Sequence, residues 1–307
     1  MSGRVKLLVI AGPTATGKTR LAVRVAHRLG SEIISADSRQ VYRGLDLGTG
    51  KDLDAYCAVD PAVPVHLVDI ADPERVYSVF DYQRDCYALL ADKAPRVPFC
   101  NGTPLLLCGG TGLYIEAVLR GYRIADVPEN PDLREALMAR ATADLVDQLQ
   151  RDAPRIAART DCSSKKRVVR ALEVAAAPEP VRHSEPPPVA IEAEVFVVDL
   201  PREVLRQRIE ERLHQRLRDG MVDEVRGLLD RGLPAARLEQ LGLEYREIGA
   251  HLAGQKSYAQ MVEDLRHRIF RLAKRQQTWF RNMPGRGIPV TVIAPDEVQR
   301  VLGDRAT

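Results

Sequence analysis

Long apolar runs are missing from this chain of 307 residues. None approaches the roughly 20 residues that a membrane-crossing helix needs, so no membrane association is expected. Cysteine is scarce. The five present, Cys57, Cys86, Cys100, Cys108 and Cys162, include no Cys-x-x-Cys pair. An odd count in a chain of this length argues against both a disulfide framework and a cysteine-rich zinc site. The six histidines contain no His-x₃-His spacing, which removes the usual histidine metal motif. Excess charge is missing too. Lys and Arg number 45 against 42 Asp and Glu, a net of +3. Overall basicity therefore does not imply a nucleic-acid partner; only a local concentration of charge could. What is plentiful is ordinary: a hydrophobic fraction of 45% belongs to a globular chain and excludes wholesale disorder. The length allows about two domains, or one core with a large insertion. Residues 1–10 place basic residues before an apolar stretch, as a signal peptide does. That stretch runs into a glycine-rich loop instead of a cleavage site, so it reads as a first strand, and a cytoplasmic protein is expected.

Residues 6–11 form a short apolar run ended by Gly12-Pro13, as a buried parallel strand would. Leu21, Val25 and Leu29 then recur every fourth residue, which predicts a helix beginning at Thr19. Residues 31–36, 65–70 and 105–108 read as further strands. This alternation predicts an α/β parallel sheet flanked by helices, with ligands at the carboxyl ends of the strands. The character changes after Tyr122. Residues 128–170 have helical spacing and many charges. A stretch containing Pro178, Pro180, Pro186, Pro187 and Pro188 then excludes helix and reads as a stiff linker. Residues 194–199 look like a strand returning to the sheet, helices are expected from 202 to 281, and 289–293 reads as a last short strand. The organisation expected is a core of 1–121, a mostly helical insertion of 122–194, and a continuation of the core with basic helices over 195–307.

Gly12-Pro13-Thr14-Ala15-Thr16-Gly17-Lys18-Thr19 fits G-x-x-x-x-G-K-[ST] at every fixed position. Backbone N–H groups of such a loop turn inward around phosphate oxygens, and glycine permits close approach. Lys18 adds charge, the Thr19 hydroxyl can ligate Mg²⁺, and the following helix presents its N-terminus. The strand–loop–helix context is the one this chemistry requires. The motif alone leaves open whether a γ-phosphoryl group moves, or whether a diphosphate ester is cleaved at carbon with pyrophosphate leaving. Asp37 closes the second strand, near the loop in this topology. Its carboxylate could serve a Mg²⁺ ion, a base or a ribose, or could only cap the next segment.

Six pieces occur in an order that resembles the tRNA dimethylallyltransferase family. They are residues 12–19, 37–42 (Asp37-Ser38-Arg39-Gln40-Val41-Tyr42), 48–51 (Gly48-Thr49-Gly50-Lys51), 109–114, 170–173 and 274–281. The resemblance spans about residues 5–282 and implies a P-loop core with a helical insertion. It implies transfer of a dimethylallyl group from dimethylallyl diphosphate to N6 of the adenine 3′-adjacent to the anticodon of tRNA. Carried over by motif, Asp37 would be the general base and Thr111 would lie at the reacting centre. Gly12, Pro13, Thr14, Ala15, Thr16, Gly17, Lys18, Thr19 and Arg212 would hold the diphosphate, with Thr19 the metal residue and Mg²⁺ the ion. Ser38, Arg39, Gln40, Arg271, Lys274, Arg275, Gln276 and Arg281 would face the anticodon stem-loop, as would part of the insertion. A monomer is expected. Three departures stand out. Ser163-Ser164 replaces the family's Asn-Asp, Gly50 stands where alanine is usual, and the Gly-Tyr-Lys-Glu motif becomes the longer Gly242-Leu243-Glu244-Tyr245-Arg246-Glu247.

The charge hidden by the overall balance is concentrated near the C-terminus. No acid lies between Asp264 and Asp296, while Arg266, Arg268, Arg271, Lys274, Arg275, Arg281 and Arg286 do. Leu265, Ile269 and Leu272 mark the packed face of a helix, and Gln276 extends that face as a polar group needing a partner. A basic face beside Trp279 suits a folded RNA loop, or is merely solvated with the tryptophan in the core. His66 reads as a packed histidine, Asp69 as an alternative Mg²⁺ carboxylate, and residues 77–81 as a segment that packs or caps a helix. The main alternative to prenyl transfer is a P-loop kinase of a small molecule or nucleotide, which needs no long basic helix. A nucleotide-gated RNA-binding module and a transferase acting on a free adenosine phosphate are the others.

Overall fold

The structure is a computed structural model that describes residues 4–93, 103–178 and 180–306; Cys100 lies outside them. Among the described residues six strands form one sheet: β1 (Arg4–Ala11), β2 (Ile33–Ser35), β3 (Val65–His66), β4 (Leu105–Gly109), β5 (Ala190–Val198) and β6 (Thr291–Ile293). Their spatial order is β3-β2-β4-β1-β5-β6, and every pairing is parallel. The fold class is that expected: a P-loop NTPase-like parallel sheet flanked by helices.

Why β1 is continuously apolar from Leu7 to Ala11 follows from its place. Successive side chains point to opposite faces, and both faces are covered. Leu7, Val9 and Ala11 join Leu105, Leu107, Val195 and Val197 in one core with the C-terminal helices. Leu8 and Ile10 join Leu106, Cys108, Phe196 and Val198 in the other, against Leu21, Ala22 and Val25 of helix Lys18–Leu29 and against Val298 and Val301. That helix ends at Gly30, whose left-handed φ of 59° lets its N–H return to the Ala26 and His27 carbonyls.

Two strands differ from the sequence expectation by more than two residues at one end. β3 stops at His66 instead of running to residue 70, because Leu67 and Asp69 take left-handed φ values of 60° and 55°. A strand cannot continue through such residues; the turn carries Asp69 to Lys51, with which it forms an ion pair. β5 begins at Ala190, not Glu194, because its first residues pair with Arg4 to Leu7 of β1. The chain accordingly divides into two compact units, residues 1–121 with 187–307, and residues 122–186, so the second unit closes before position 194.

The unit 122–186 packs helices Pro131–Met138, Thr142–Asp152, Pro154–Ala157 and Lys165–Ala175 around Leu137, Leu145, Leu149, Val168, Val169 and Leu172. Its buried acid, Glu173, pairs with Arg134 (2.6 Å). Ser163 donates N–H and hydroxyl to Asp161 Oδ1 (3.1 and 2.6 Å), a turn that leads into helix Lys165–Ala175 with Ser164 at its N-cap position. After β5 come helices Arg202–Arg218, Met221–Asp230, Ala235–Leu241, Leu243–Leu252 and Tyr258–Arg281. The last is the basic helix. Ser257 and Gln260 form a reciprocal cap at its start, and Met261, Leu265, Ile269, Ala273 and Phe280 are its buried stripe. No described helix is long and apolar enough to cross a membrane.

Candidate active site

At the carboxyl ends of β1, β2 and β4 lies a cleft of about 450 Å³. Its walls bring together Thr14, Ala15, Gly17, Lys18, Thr19, Asp37, Ser38, Arg39, Gln40, Thr111, Arg212, Arg275 and Gln276, residues taken from four of the six sequence pieces and from helix Arg202–Arg218. The phosphate loop adopts the bends its motif implies. Ala15 and Gly17 are left-handed (φ 64° and 88°), which turns successive N–H groups toward one centre. Gly12 is required for another reason: a Cβ there would come within 2.5 Å of the Val198 carbonyl oxygen. Among the described residues no side chain caps the helix that begins at Lys18, so its N-terminus is free to meet an anion.

Not every loop residue faces the cleft. The Thr16 hydroxyl is fully buried and donates to the Pro13 carbonyl (2.9 Å), so Thr16 shapes the loop, and Gly12 and Pro13 support it from behind. Lys18 Nζ donates to the same carbonyl (3.2 Å). Burial pulls the pKa of Lys18 below the ordinary lysine value, against the opposing charge of Asp37.

Asp37 accepts the Arg39 N–H through Oδ1 (3.0 Å). Its Oδ2 has no hydrogen-bond partner among the described residues and is free to act on a ligand. Next to it, the Thr111 hydroxyl accepts the Ser38 N–H (3.0 Å) and donates to Ser38 Oγ (3.3 Å), tying the ends of β2 and β4. Gln40 Nε2 donates to the Gly50 carbonyl (3.3 Å), and Arg212 Nη2 donates to the same carbonyl (3.0 Å).

That segment, residues 45–50, is held by a residue the sequence reading missed. The Glu224 carboxylate accepts N–H groups of Asp46, Leu47 and Gly48 (2.9, 2.7 and 3.0 Å) and the Tyr245 hydroxyl (2.7 Å). A Cβ on Gly48 would overlap the Tyr245 ring, which explains the glycine. Lys51 points away from the cleft. It donates to the Tyr42 carbonyl (2.6 Å) and Asp46 (2.8 Å) and pairs with Asp69. Asp69 is thus neutralised in the wall, and does not reach the phosphate loop as a Walker-type carboxylate would. His66 sits against Glu32 (2.6 Å), a packed histidine as expected, and Asp81 with Ser78 caps helix Val79–Lys93.

The basic helix contributes unevenly. Gln276 is a strut: its Oε1 accepts the Thr14 N–H and its Nε2 donates to the Gly110 carbonyl, both at 2.9 Å. Its amide is committed to joining the phosphate loop to the end of β4, which answers the need for a partner seen in the sequence. Gln277 makes a second tie, Nε2 to Asp199 Oδ1 (2.9 Å). Arg275 lines the cleft, whereas Arg271, Lys274 and Arg281 are exposed outside it. Trp279 lies over Gly112, with the Arg286 guanidinium 5.1 Å from its ring centroid. It is a packing residue and not a free platform.

This geometry defines a class: a P-loop protein whose phosphate site opens beside a carboxylate and a basic helix. The profile of the family described as IPP transferase matches residues 40–283, and that of isopentenyl transferase matches residues 5–58. The tRNA dimethylallyltransferase 1 of Syntrophus aciditrophicus is 48% identical over 295 residues, 95% of this chain and 95% of its own. The tRNA dimethylallyltransferase 1 of Porphyromonas gingivalis is 46% identical over 283 residues, 92% of this chain and 91% of its own. The solved tRNA isopentenylpyrophosphate transferase of Bacillus halodurans, 32% identical, superposes with a TM-score of 0.67, covering 97% of this chain and 93% of that one. The chain belongs to the IPP transferase family.

Proposed function

We propose that this protein transfers a dimethylallyl group from dimethylallyl diphosphate to N6 of the adenine 3′-adjacent to the anticodon in tRNA, releasing pyrophosphate. The observation that carries this reading is the juxtaposition in one cleft of the phosphate loop, a carboxylate oxygen of Asp37 without a partner, and Arg275 of the basic helix. The exocyclic amine of adenine is a weak nucleophile, because its lone pair is delocalised into the ring. As the N6–C1 bond forms, the C1–O bond breaks, its electron pair leaves on the diphosphate, and the N6 proton passes to Asp37. Lys18, Arg212 and the loop N–H groups stabilise the charge growing on the leaving oxygen. The adenine has to leave its stack to reach the cleft. Thr111 and Ser38, locked to each other, frame the approach to Asp37, with Arg39 and Gln40 beside them; Arg271, Lys274 and Arg281 meet RNA phosphates outside it.

Magnesium fits this donor set. Among the described residues no cluster of three or more His, Cys, Asp or Glu could cage a metal. Mg²⁺ needs none, since it keeps several waters and binds through one or two protein groups together with phosphate oxygens. The Thr19 hydroxyl, with the carboxylate of Asp52 nearby in the cleft, would hold it. When bound it would neutralise diphosphate charge. The protein works as a cytoplasmic monomer in this reading.

Family membership and the basic helix favour prenyl transfer over the kinase alternative. Mass analysis of tRNA nucleosides after incubation with dimethylallyl diphosphate tests it. A prenylated adenosine is expected; its absence with competent tRNA would remove the proposal. In melting experiments dimethylallyl diphosphate, and not ATP, is expected to give the larger stabilisation.

A further inference from the structure

Helix Arg202–Arg218 carries arginines at 208, 212 and 216, one turn apart and therefore on one face. Arg208 Nη1 donates to the Thr16 carbonyl (3.4 Å). Arg212 is committed to the Gly50 carbonyl and lies 3.4 Å from Asp52. Arg216 differs. It lines the cleft, yet it makes no hydrogen bond or ion pair with any described residue. Its guanidinium rests against Gly50, where a Cβ would overlap the Nη2 atoms of both Arg216 and Arg212. The two guanidinium groups thus converge on one point. Glu244 and Asp52 share the cleft and temper the field, but neither forms an ion pair with Arg216. Burial, with Arg212 second, pushes the Arg216 guanidinium down to about 10.

Like charges driven together, one of them without a counter-ion, are a liability in the empty protein. The arrangement becomes favourable when an anion enters and takes donors from both. We propose that Arg216 is a second guanidinium ligand for the diphosphate of the prenyl donor, closing a two-arginine clamp with Arg212 beside the phosphate loop. This rests on the reading of the cleft as a prenyl-diphosphate site. Diphosphate fits better than an RNA phosphodiester for a positional reason. Arg212 and Arg216 border a small side pocket together with Thr14 and Ala15 of the phosphate loop itself. The chemistry agrees: a planar fork presents paired donors to the two phosphoryl ends. Its grip tightens as the C1–O bond breaks and the leaving oxygens gain charge. The clamp also gives Gly50 a purpose. The side chain absent there leaves the volume into which both guanidinium groups reach.

Binding of inorganic pyrophosphate, measured calorimetrically on the whole chain, tests the clamp. Arg216→Gln is expected to weaken it roughly 10–100-fold. Arg216→Lys is expected to recover part of the loss, since it keeps charge without the fork. Affinity for tRNA should not change. Because the substitution also removes repulsion, unliganded Arg216→Gln is expected to melt no lower than the parent protein, and pyrophosphate should raise its melting temperature less. Unchanged pyrophosphate affinity in Arg216→Gln overturns the proposal. Such a result with a lower melting temperature would make Arg216 a packing residue; with weaker tRNA binding it would make it an RNA ligand. A parent protein that binds pyrophosphate but prenylates no tRNA would remove the proposed function and leave the clamp to be judged by the same titration.

Discussion

Asp37 owes its availability to a division of labour within one carboxylate. One oxygen is spent on the Arg39 N–H, which fixes the rotamer, and the other is left open. If that oxygen takes the N6 proton, Asp37→Ala should lower the single-turnover rate by roughly 10²–10⁴ while tRNA and diphosphate affinities change little. A near-native rate would end the assignment. A rate restored by excess Mg²⁺ would make Asp37 a metal ligand instead. Thr19 supplies a separate check, since Thr19→Ala should raise the Mg²⁺ concentration needed for half-maximal rate. At this scale the sequence was a good guide wherever a residue type was tied to a spacing. The phosphate loop could be read in that way, whereas the roles of Asp37 and Arg212 came from the family resemblance; both line the same cleft. It was a poor guide to Arg216 and Glu224, whose roles depend on which backbone they meet across the fold. The only trace was the four-residue spacing of Arg208, Arg212 and Arg216, which in sequence looks like any solvated helix face.

Helix Tyr258–Arg281 has two jobs on different faces. Its apolar stripe and Gln276 fasten it to the core, while Arg271 and Lys274 stay exposed and Arg275 reaches the cleft. If these three cations meet RNA phosphates, replacing all three by Ala should flatten the salt dependence of tRNA binding by roughly 0.7–0.9 for each phosphate no longer neutralised. Dimethylallyl diphosphate affinity should hold. An unchanged slope in a folded variant would put the RNA surface elsewhere. The same helix is also anchored through Glu247, a buried acid of helix Leu243–Leu252 that pairs with Lys256 (2.6 Å), Arg246 (2.9 Å) and Arg268 (2.7 Å). Burial alone would raise its pKa, but the hydrogen bonds from Lys256 and Arg246 outweigh it, and the pKa falls below the ordinary glutamate value. A lowered folded-state pKa means stability that is present above the unfolded value and lost as pH falls through the folded one. Glu247→Gln should therefore cost about 1–3 kcal/mol near neutral pH. The cost should shrink in acid, read from urea unfolding at a series of pH values. A pH-independent difference would contradict the ion-pair account. Element boundaries were legible where hydrophobic runs were long, as in β1 and β4. β3 was overestimated because left-handed residues such as Leu67 and Asp69 leave no mark on hydrophobicity.

At the scale of the whole molecule, the parallel sheet gathers loops that are distant in sequence onto one edge, so that Lys18, Asp37, Thr111, Arg212 and Arg275 meet although they span most of the chain. Composition could not foresee this; the strand–helix alternation could. The sequence also placed an excursion after Tyr122, and the compact unit begins there. Where that excursion rejoins has a further use. Gly121, left-handed at φ 59°, closes helix Gly112–Arg120, and a Cβ on it would stand 3.2 Å from Cδ of Pro187. Exit and re-entry are therefore neighbours within the core unit. Joining two points already in contact adds little closure entropy. Replacing residues 122–186 by a short glycine-serine bridge should give a protein that melts cooperatively and still binds pyrophosphate, checked by calorimetry. Failure to fold would show that the excursion is part of the core's stability; success would make that junction a socket, into which other recognition modules could be spliced without disturbing the phosphate site.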